Sequence, residues 1–165
     1  MSVLDAQREV ANLPEGHYAI KEAQERVARE YKAAHEYERE ALQRIFGKKR
    51  LRKGKHIFDL ATSRKILEYL CHSLGCLRIP KLVFDDLPYN VAGQYNHATR
   101  TIQVQRWRAN DVPVNLLIHE FSHYLDLEDG GWGGHGPAFV EYETLAFTVL
   151  GEWWEQRRKE ESIIF

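Results

Sequence analysis

Apolar and polar residues follow helical spacing over much of this chain, and glycine, proline and capping residues separate the helical segments. A charge-rich stretch with an irregular apolar stripe predicts one long helix over Tyr18 to Phe46. Because this stripe contains no run of clean heptads, packing of the helix on the rest of the chain is favoured over pairing with a second chain. Asp59 or Ser63 can cap a second helix that runs to about Leu74, where Gly75 would stop it.

Short segments in the middle of the chain are typical of strands. Leu77 to Phe84 predicts one strand, and Pro80 favours an edge or bulge position for it. Ala92 to Tyr95 and Thr101 to Val104 predict a hairpin, because the turn-forming segment Asn96 to Thr99 separates them. A small antiparallel sheet is therefore expected.

Two further helices are predicted after the hairpin. Pro113 to Leu127 has the pattern of one amphipathic helix, which Asn110 or Asp111 would cap. Pro137 suits the first turn of a final helix that extends toward Glu161. A hairpin that precedes one helix and is followed by a second predicts an α+β fold.

The helix after the hairpin carries the HExxH motif as His119-Glu120-Phe121-Ser122-His123. The two histidines lie four positions apart, so both stand on one helical face and can offer neutral imidazole nitrogens to one cation. The chain has eight histidines in 165 residues, so the motif needs support from its context. That support is an apolar opposite face, formed by Leu117, Ile118, Phe121, Tyr124 and Leu125. The pattern indicates a zinc-binding helix.

A catalytic zinc site has three protein ligands and one open position, so a third donor is required. His135 follows His123 by twelve residues and lies in the glycine-rich segment Gly130 to Pro137. The glycines would let this segment turn back over the metal helix. We predict His135 as the third ligand, and the alternative donors are Asp126, Asp129, Glu141 and Glu143.

The two motifs together, His119 to His123 and then His135-Gly136-Pro137-Ala138-Phe139, resemble those of the SprT-like zinc metallopeptidase family. A related small metallohydrolase of phage or actinobacterial type would carry the same motifs. The resemblance covers about residues 60 to 150, and it does not extend to the zinc ribbon of some members, because no cysteine follows His135. It implies a zincin-like peptidase domain over residues 58–165, after an N-terminal helical extension with a basic linker over residues 1–57.

The expected reaction is hydrolysis of a peptide bond in a protein or peptide substrate. Zinc held by His119, His123 and His135 would activate water, and Glu120 would act as the general base. Candidates for a second oxyanion donor are Tyr95, His97 and Tyr142. Candidates for an outer hydrogen-bond partner of a ligand histidine are Asp126, Glu141 and Glu143.

A basic segment suggests a different class of function. The segment from Arg44 to His56, both included, contains seven Lys or Arg residues and no acid, in a chain whose net charge is −1. Such a segment, centred on Lys48 to Lys55, could bind nucleic acid through phosphates, or it could be a solvated linker. The alternative function is therefore a nucleic-acid or protein-binding module with a structural zinc, and a metallohydrolase of small substrates is a further alternative.

Composition sets the remaining bounds. A chain of 165 residues with 44% hydrophobic content allows one domain with a substantial core. No stretch of roughly 18 apolar residues occurs, and the first residues lack the pattern of a signal peptide. We therefore expect a cytoplasmic protein without membrane contact, in which Cys71 and Cys76 are reduced thiols.

Overall fold

The computed structural model describes residues 18–47 and 56–164. They form an α+β structure in which helices predominate. The elements in chain order are α1 (Tyr18–Phe46), β1 (Ile57–Phe58), α2 (Leu60–Leu74), β2 (Lys81–Asp85), β3 (Gly93–Asn96), β4 (Thr101–Gln105), a 3-10 turn (Arg106–Arg108), β5 (Val112–Pro113), α3 (Val114–Glu128) and α4 (Pro137–Ile164).

The three-stranded sheet has the order β2-β4-β3 and is mixed. The predicted hairpin is confirmed, since β3 pairs antiparallel with β4. The expected small antiparallel sheet is found in part: β1 pairs antiparallel with β5, but the three-stranded sheet is mixed, because β2 pairs parallel with β4. The reason is the segment 86–92, which crosses from one edge of the sheet to the other. Buried Gln105 holds this crossover, because its Nε2 donates to the carbonyls of Leu87, Pro88 and Val91 at 2.9 to 3.0 Å.

Helix α2 begins and ends where its capping residues predict. The carboxylate of Asp59 accepts a hydrogen bond of 2.7 Å from the backbone N–H of Thr62, and Gly75 adopts a left-handed conformation with φ of 70°. The strand that follows is shorter than expected. It begins at Lys81, and the preceding Leu77 is fully exposed.

The predicted cap of the metal helix is wrong. Helix α3 begins after Pro113, and no side chain caps it. The side-chain oxygen of Asn110 instead accepts a hydrogen bond of 3.2 Å from the backbone N–H of Leu60, at the start of α2. The start of α3 is fixed by the sheet, because the N–H of Val114 donates to the carbonyl of His56 at 2.8 Å.

Helix α1 packs on the rest of the chain, as its apolar stripe predicts. Its residues Ala41, Leu42 and Phe46 are buried in the same hydrophobic cluster as residues of α3 and of the middle of α4. The ring of Phe46 also packs edge-on against Trp154 of α4, with ring centroids 4.9 Å apart. The domain boundary proposed at residue 57 stays a prediction, but α1 and the later helices share one core.

No helix within the described ranges is both long and apolar enough to cross a membrane.

Strand β3 approaches α3 so closely that only glycine fits at one position. A Cβ atom on Gly93 would lie 2.9 Å from the backbone oxygen of Gln103 and 2.9 Å from both methyl carbons of Leu116. This contact sets the distance between the sheet and α3.

We predict that Gly93→Ala lowers the free energy of unfolding by about 1–3 kcal/mol, because the strand must move away from α3. Urea unfolding of the purified variant measures the change. Gly151→Ala is the matched control, because its new Cβ would meet only a carbon of Ile45 at 3.7 Å, in a helix. That control should be neutral or stabilising, and equal stability of both variants would contradict the prediction.

Candidate metal centre

Three imidazole rings converge on one point beside α3. His119 and His123 project from adjacent turns of the helix, and His135 comes from the loop before α4. The Nε2 atom of His135 lies 2.9 Å from that of His119 and 3.2 Å from that of His123. The structure thus brings together the three residues that the sequence predicts as ligands, and their metal-binding role stays a prediction.

The donor set fits a metal ion such as zinc. Zinc–nitrogen bonds of about 2.0–2.1 Å in tetrahedral geometry place ligand nitrogens roughly 3.3 Å apart, close to the observed separations. Nδ1 of His119 is hydrogen-bonded to a carboxylate, so the proton of the neutral ring belongs on Nδ1 and the lone pair on Nε2 faces its partners. The three histidines could therefore hold one divalent cation.

The glycine-rich loop that carries His135 folds around Asp126. The Asp126 carboxylate is buried and accepts a hydrogen bond of 3.1 Å from the N–H of Gly133, whose φ is 77°. A Cβ atom on Gly131 would overlap an oxygen of the same carboxylate, so the close approach requires glycine. Asp126 thus shapes the loop, a role that differs from both the ligand and the outer-partner roles considered for it.

The other alternative donors lie elsewhere. Asp129 is hydrogen-bonded to the hydroxyl of Tyr142, and Glu141 is exposed on α4. Glu143 is fully buried, but its Oε2 atom lies 3.8 Å from Nδ1 of His119 and therefore on the side of the ring away from the convergence point.

Phe139 packs against the rings of all three histidines. Its ring centroid lies 5.0 Å from that of His119, 4.6 Å from that of His123 and 4.9 Å from that of His135. Its side chain is buried at the start of α4. The segment His135 to Phe139 therefore supplies one predicted ligand and the aromatic ring that limits the rotation of the three histidines.

Glu38 of α1 is a site residue that the sequence reasoning missed. It is 3% exposed, and its Oε1 atom lies 2.5 Å from Nδ1 of His119. Nothing local distinguishes Glu38 from the many other acids of this charge-rich helix. Only the packing of α1 identifies it.

The three histidines differ in their electrostatic surroundings. Burial by itself lowers the pKa of His119, but the hydrogen bond and charge of Glu38 outweigh it and raise that pKa. Burial and the neighbouring rings lower the pKa of His123 to about 2, and burial with the charge of His119 lowers the pKa of His135 to about 4. Both of these rings are neutral at pH 7, as metal ligation requires.

The nearby carboxyl groups are also perturbed. Burial raises the pKa of Glu120, only partly offset by His119 and by a hydrogen bond from the backbone of Tyr95. Burial and the proximity of Glu38 raise the pKa of Glu143 to about 10. The pKa of Glu38 itself is lowered, because contact with His119 outweighs its burial.

A cleft of about 620 Å³ borders the site. Helix α3 contributes His119 and Glu120 to its wall, and β3 with the preceding loop contributes residues 91–93. Helix α1 contributes Tyr31, His35 and Glu38. Glu120 therefore faces a space in which a substrate could lie next to His119, the one of the three histidines that lines this cleft.

The predicted oxyanion donors are not among the residues that line this cleft. The hydroxyl of Tyr95 lies 3.0 Å from Nδ1 of His97, and that of Tyr142 binds Asp129. Their assignment as oxyanion donors gains no support from the geometry.

Comparison of the chain with protein-family models, with curated proteins and with solved structures finds no match. Any statement about its family therefore depends on the residues themselves.

We predict that Asp126→Ala lowers zinc affinity by on the order of tenfold, because the loop loses the acceptor that holds His135 near the other two rings. Competition with a chromogenic chelator measures the affinity. Asp129→Ala removes an exposed acid from the same segment and should leave the affinity unchanged. Equal losses of zinc affinity in the two variants would contradict the proposed role of Asp126.

The lowered pKa of His135 predicts a pH dependence. In the unfolded chain the pKa of His135 returns to about 6.5, whereas in the folded metal-free protein it is about 4. Between these two pH values the unfolded state binds a proton at His135 and the folded state does not. The free energy of unfolding contributed by His135 therefore falls as the pH drops through 6.5.

The measurable consequence is a difference between two proteins. The stability of metal-free wild type relative to His135→Asn should decrease between pH 7.5 and pH 5, as measured by urea unfolding. His72→Asn, which replaces an exposed histidine at the end of α2, controls for the loss of an arbitrary histidine. A difference that stays constant with pH would contradict the pKa assignment.

Proposed function

We propose that this chain is a zinc-dependent metallopeptidase with a zincin-like core, similar to the SprT-like family. The observation that carries the proposal is the convergence of the Nε2 atoms of His119, His123 and His135 beside a cleft that Glu120 also lines. Three protein nitrogens leave a fourth position of a tetrahedral ion for solvent, which is the composition of catalytic zinc sites.

Bound zinc would supply Lewis acidity, which lowers the pKa of a coordinated water from about 15.7 toward 7 and polarises a carbonyl group. Glu120 takes the proton of the attacking water and passes it to the departing amine, so the peptide bond breaks as one water is consumed. Its raised pKa brings its proton affinity closer to neutral pH, which suits this exchange. The N–H of Tyr95 orients the carboxylate.

Strand β3 supports a peptide as the substrate. It is an edge strand in the order β2-β4-β3, so its outer backbone groups pair with no strand of the described residues. Gly93, the first residue of this strand, and the preceding Ala92 line the cleft together with Glu120. An extended peptide can add to such an edge through main-chain hydrogen bonds, and its carbonyl groups would then pass beside the general base.

The alternative of a structural zinc has less support. Structural sites generally close the coordination with a fourth protein ligand, often cysteine. Within the described ranges, the group of potential ligand atoms around His135 contains the three histidines alone. Cys71 and Cys76 are both free thiols and do not belong to this group of histidines. Nucleic-acid binding through Lys48 to Lys55 stays a prediction, because this segment lies outside the described residues.

We predict that purified wild type binds about one zinc per chain and cleaves denatured casein or a member of a quenched-fluorescent peptide library. Glu120→Gln should lower the cleavage rate by about 10²–10⁴-fold with zinc content and fold retained, because only the proton acceptor is lost. Zinc content, circular dichroism and cleavage rate are the measurements. Removal of zinc by a chelator should also abolish cleavage, and added zinc should restore it.

Glu141→Gln is the matched control, since it makes the same change at an exposed acid of α4 near His135. It should cleave at the wild-type rate. Full activity of Glu120→Gln, or cleavage that survives complete removal of zinc, would overturn the proposed function.

A further inference from the structure

Glu38 joins the N-terminal helix to the metal helix through one buried hydrogen bond. Its Oε1 atom lies 2.5 Å from Nδ1 of His119, and the two residues are separated by 81 positions in the sequence. Both side chains are largely buried, at 5% and 13% exposure. A buried carboxylate is costly unless it is hydrogen-bonded, so this contact constrains both helices.

His119 is distinguished from the other two ligand histidines by this contact. The buried Nδ1 atoms of His123 and His135 have no hydrogen-bond partner among the described residues. The second carboxylate near His119, that of Glu143, stays at 3.8 Å from the ring nitrogen, which is beyond hydrogen-bond distance. Glu38 is therefore the acid that can fix the ring orientation and the tautomer of His119.

Helix α1 also touches the third ligand. The ring centroid of Tyr31 lies 5.1 Å from that of His135. Tyr31 and Glu38 are two turns apart on α1 and both line the cleft. The helix therefore spans the site and contacts two of the three rings, one through a hydrogen bond and one through an aromatic contact.

We propose that Glu38 is the positioning residue of the metal centre and that docking of α1 completes this centre. This inference rests on the proposed function, because it requires that the three histidines bind zinc. With Glu38 in place, Nδ1 of His119 carries the proton and Nε2 presents its lone pair to the ion. Displacement of α1 removes this restraint and lowers the affinity for zinc. By thermodynamic linkage, bound zinc strengthens the docking of α1 by the same factor.

The test measures zinc affinity of the full chain by chelator competition. Glu38→Ala should weaken zinc binding by about 10–100-fold, the usual effect of removing an outer partner of a ligand histidine. Glu38→Gln keeps the shape and an acceptor oxygen without the charge, so its loss should be smaller. Glu36→Gln makes the same change at an exposed position of α1 and should bind zinc as wild type does.

Two further measurements separate positioning from simple stabilisation. Cobalt substituted for zinc reports ligand geometry, so the visible spectrum of the Glu38→Gln protein should differ from that of wild type, while Glu36→Gln should match wild type. Hydrogen exchange of the α1 amides should slow when zinc is added to wild type, and this protection should shrink in Glu38→Gln.

Zinc affinity within about twofold of wild type in both Glu38 variants, with unchanged cobalt spectra, would overturn the inference and leave the proposed function standing. Failure of wild type itself to bind zinc would overturn the proposed function, and the inference with it. If Glu38→Ala does not fold, the nearly isosteric Glu38→Gln decides the outcome through its zinc affinity and cobalt spectrum.

Discussion

The site depends on the burial of one face of α3. Leu117, Ile118 and Phe121 are fully buried, and exposing any one of them would cost about 1.5–3 kcal/mol. The helix therefore cannot rotate about its axis without a large loss of stability. Because His119 and His123 lie on the opposite side, the core fixes the direction in which both rings point, and two of the three nitrogens are aligned before any ion binds.

The third nitrogen is held in a different way, because it belongs to a loop. Ordering each loop residue costs about 1–2 kcal/mol of backbone entropy, and glycine costs the most. Two contacts offset this cost. Asp126 accepts a hydrogen bond from Gly133, and Phe139 packs against the ring of His135 as well as against the helical histidines. The loop is thus attached both to the end of α3 and to the start of α4.

Burial gives the histidine cluster an electrostatic character suited to a cation. Two of its rings, those of His123 and His135, are kept neutral well below pH 7, so protons compete little for their lone pairs. The ring of His119 faces a buried carboxylate on its other nitrogen, which makes its outward nitrogen a stronger donor. The same burial raises the pKa of Glu120, which favours the role of general base proposed for this residue.

Short-range signals in the sequence determined the caps of α2 at Asp59 and Gly75, the hairpin of β3 and β4, and the placement of His119, Glu120 and His123 on one helix. These features depend on neighbours a few residues away, where periodicity and turn chemistry act directly. The tertiary structure alone decided the parallel pairing of β2, the sheet-defined start of α3 and the contact of Glu38 with His119. Each of these joins segments distant along the chain, and their partners are selected by how whole elements pack, which no local pattern encodes.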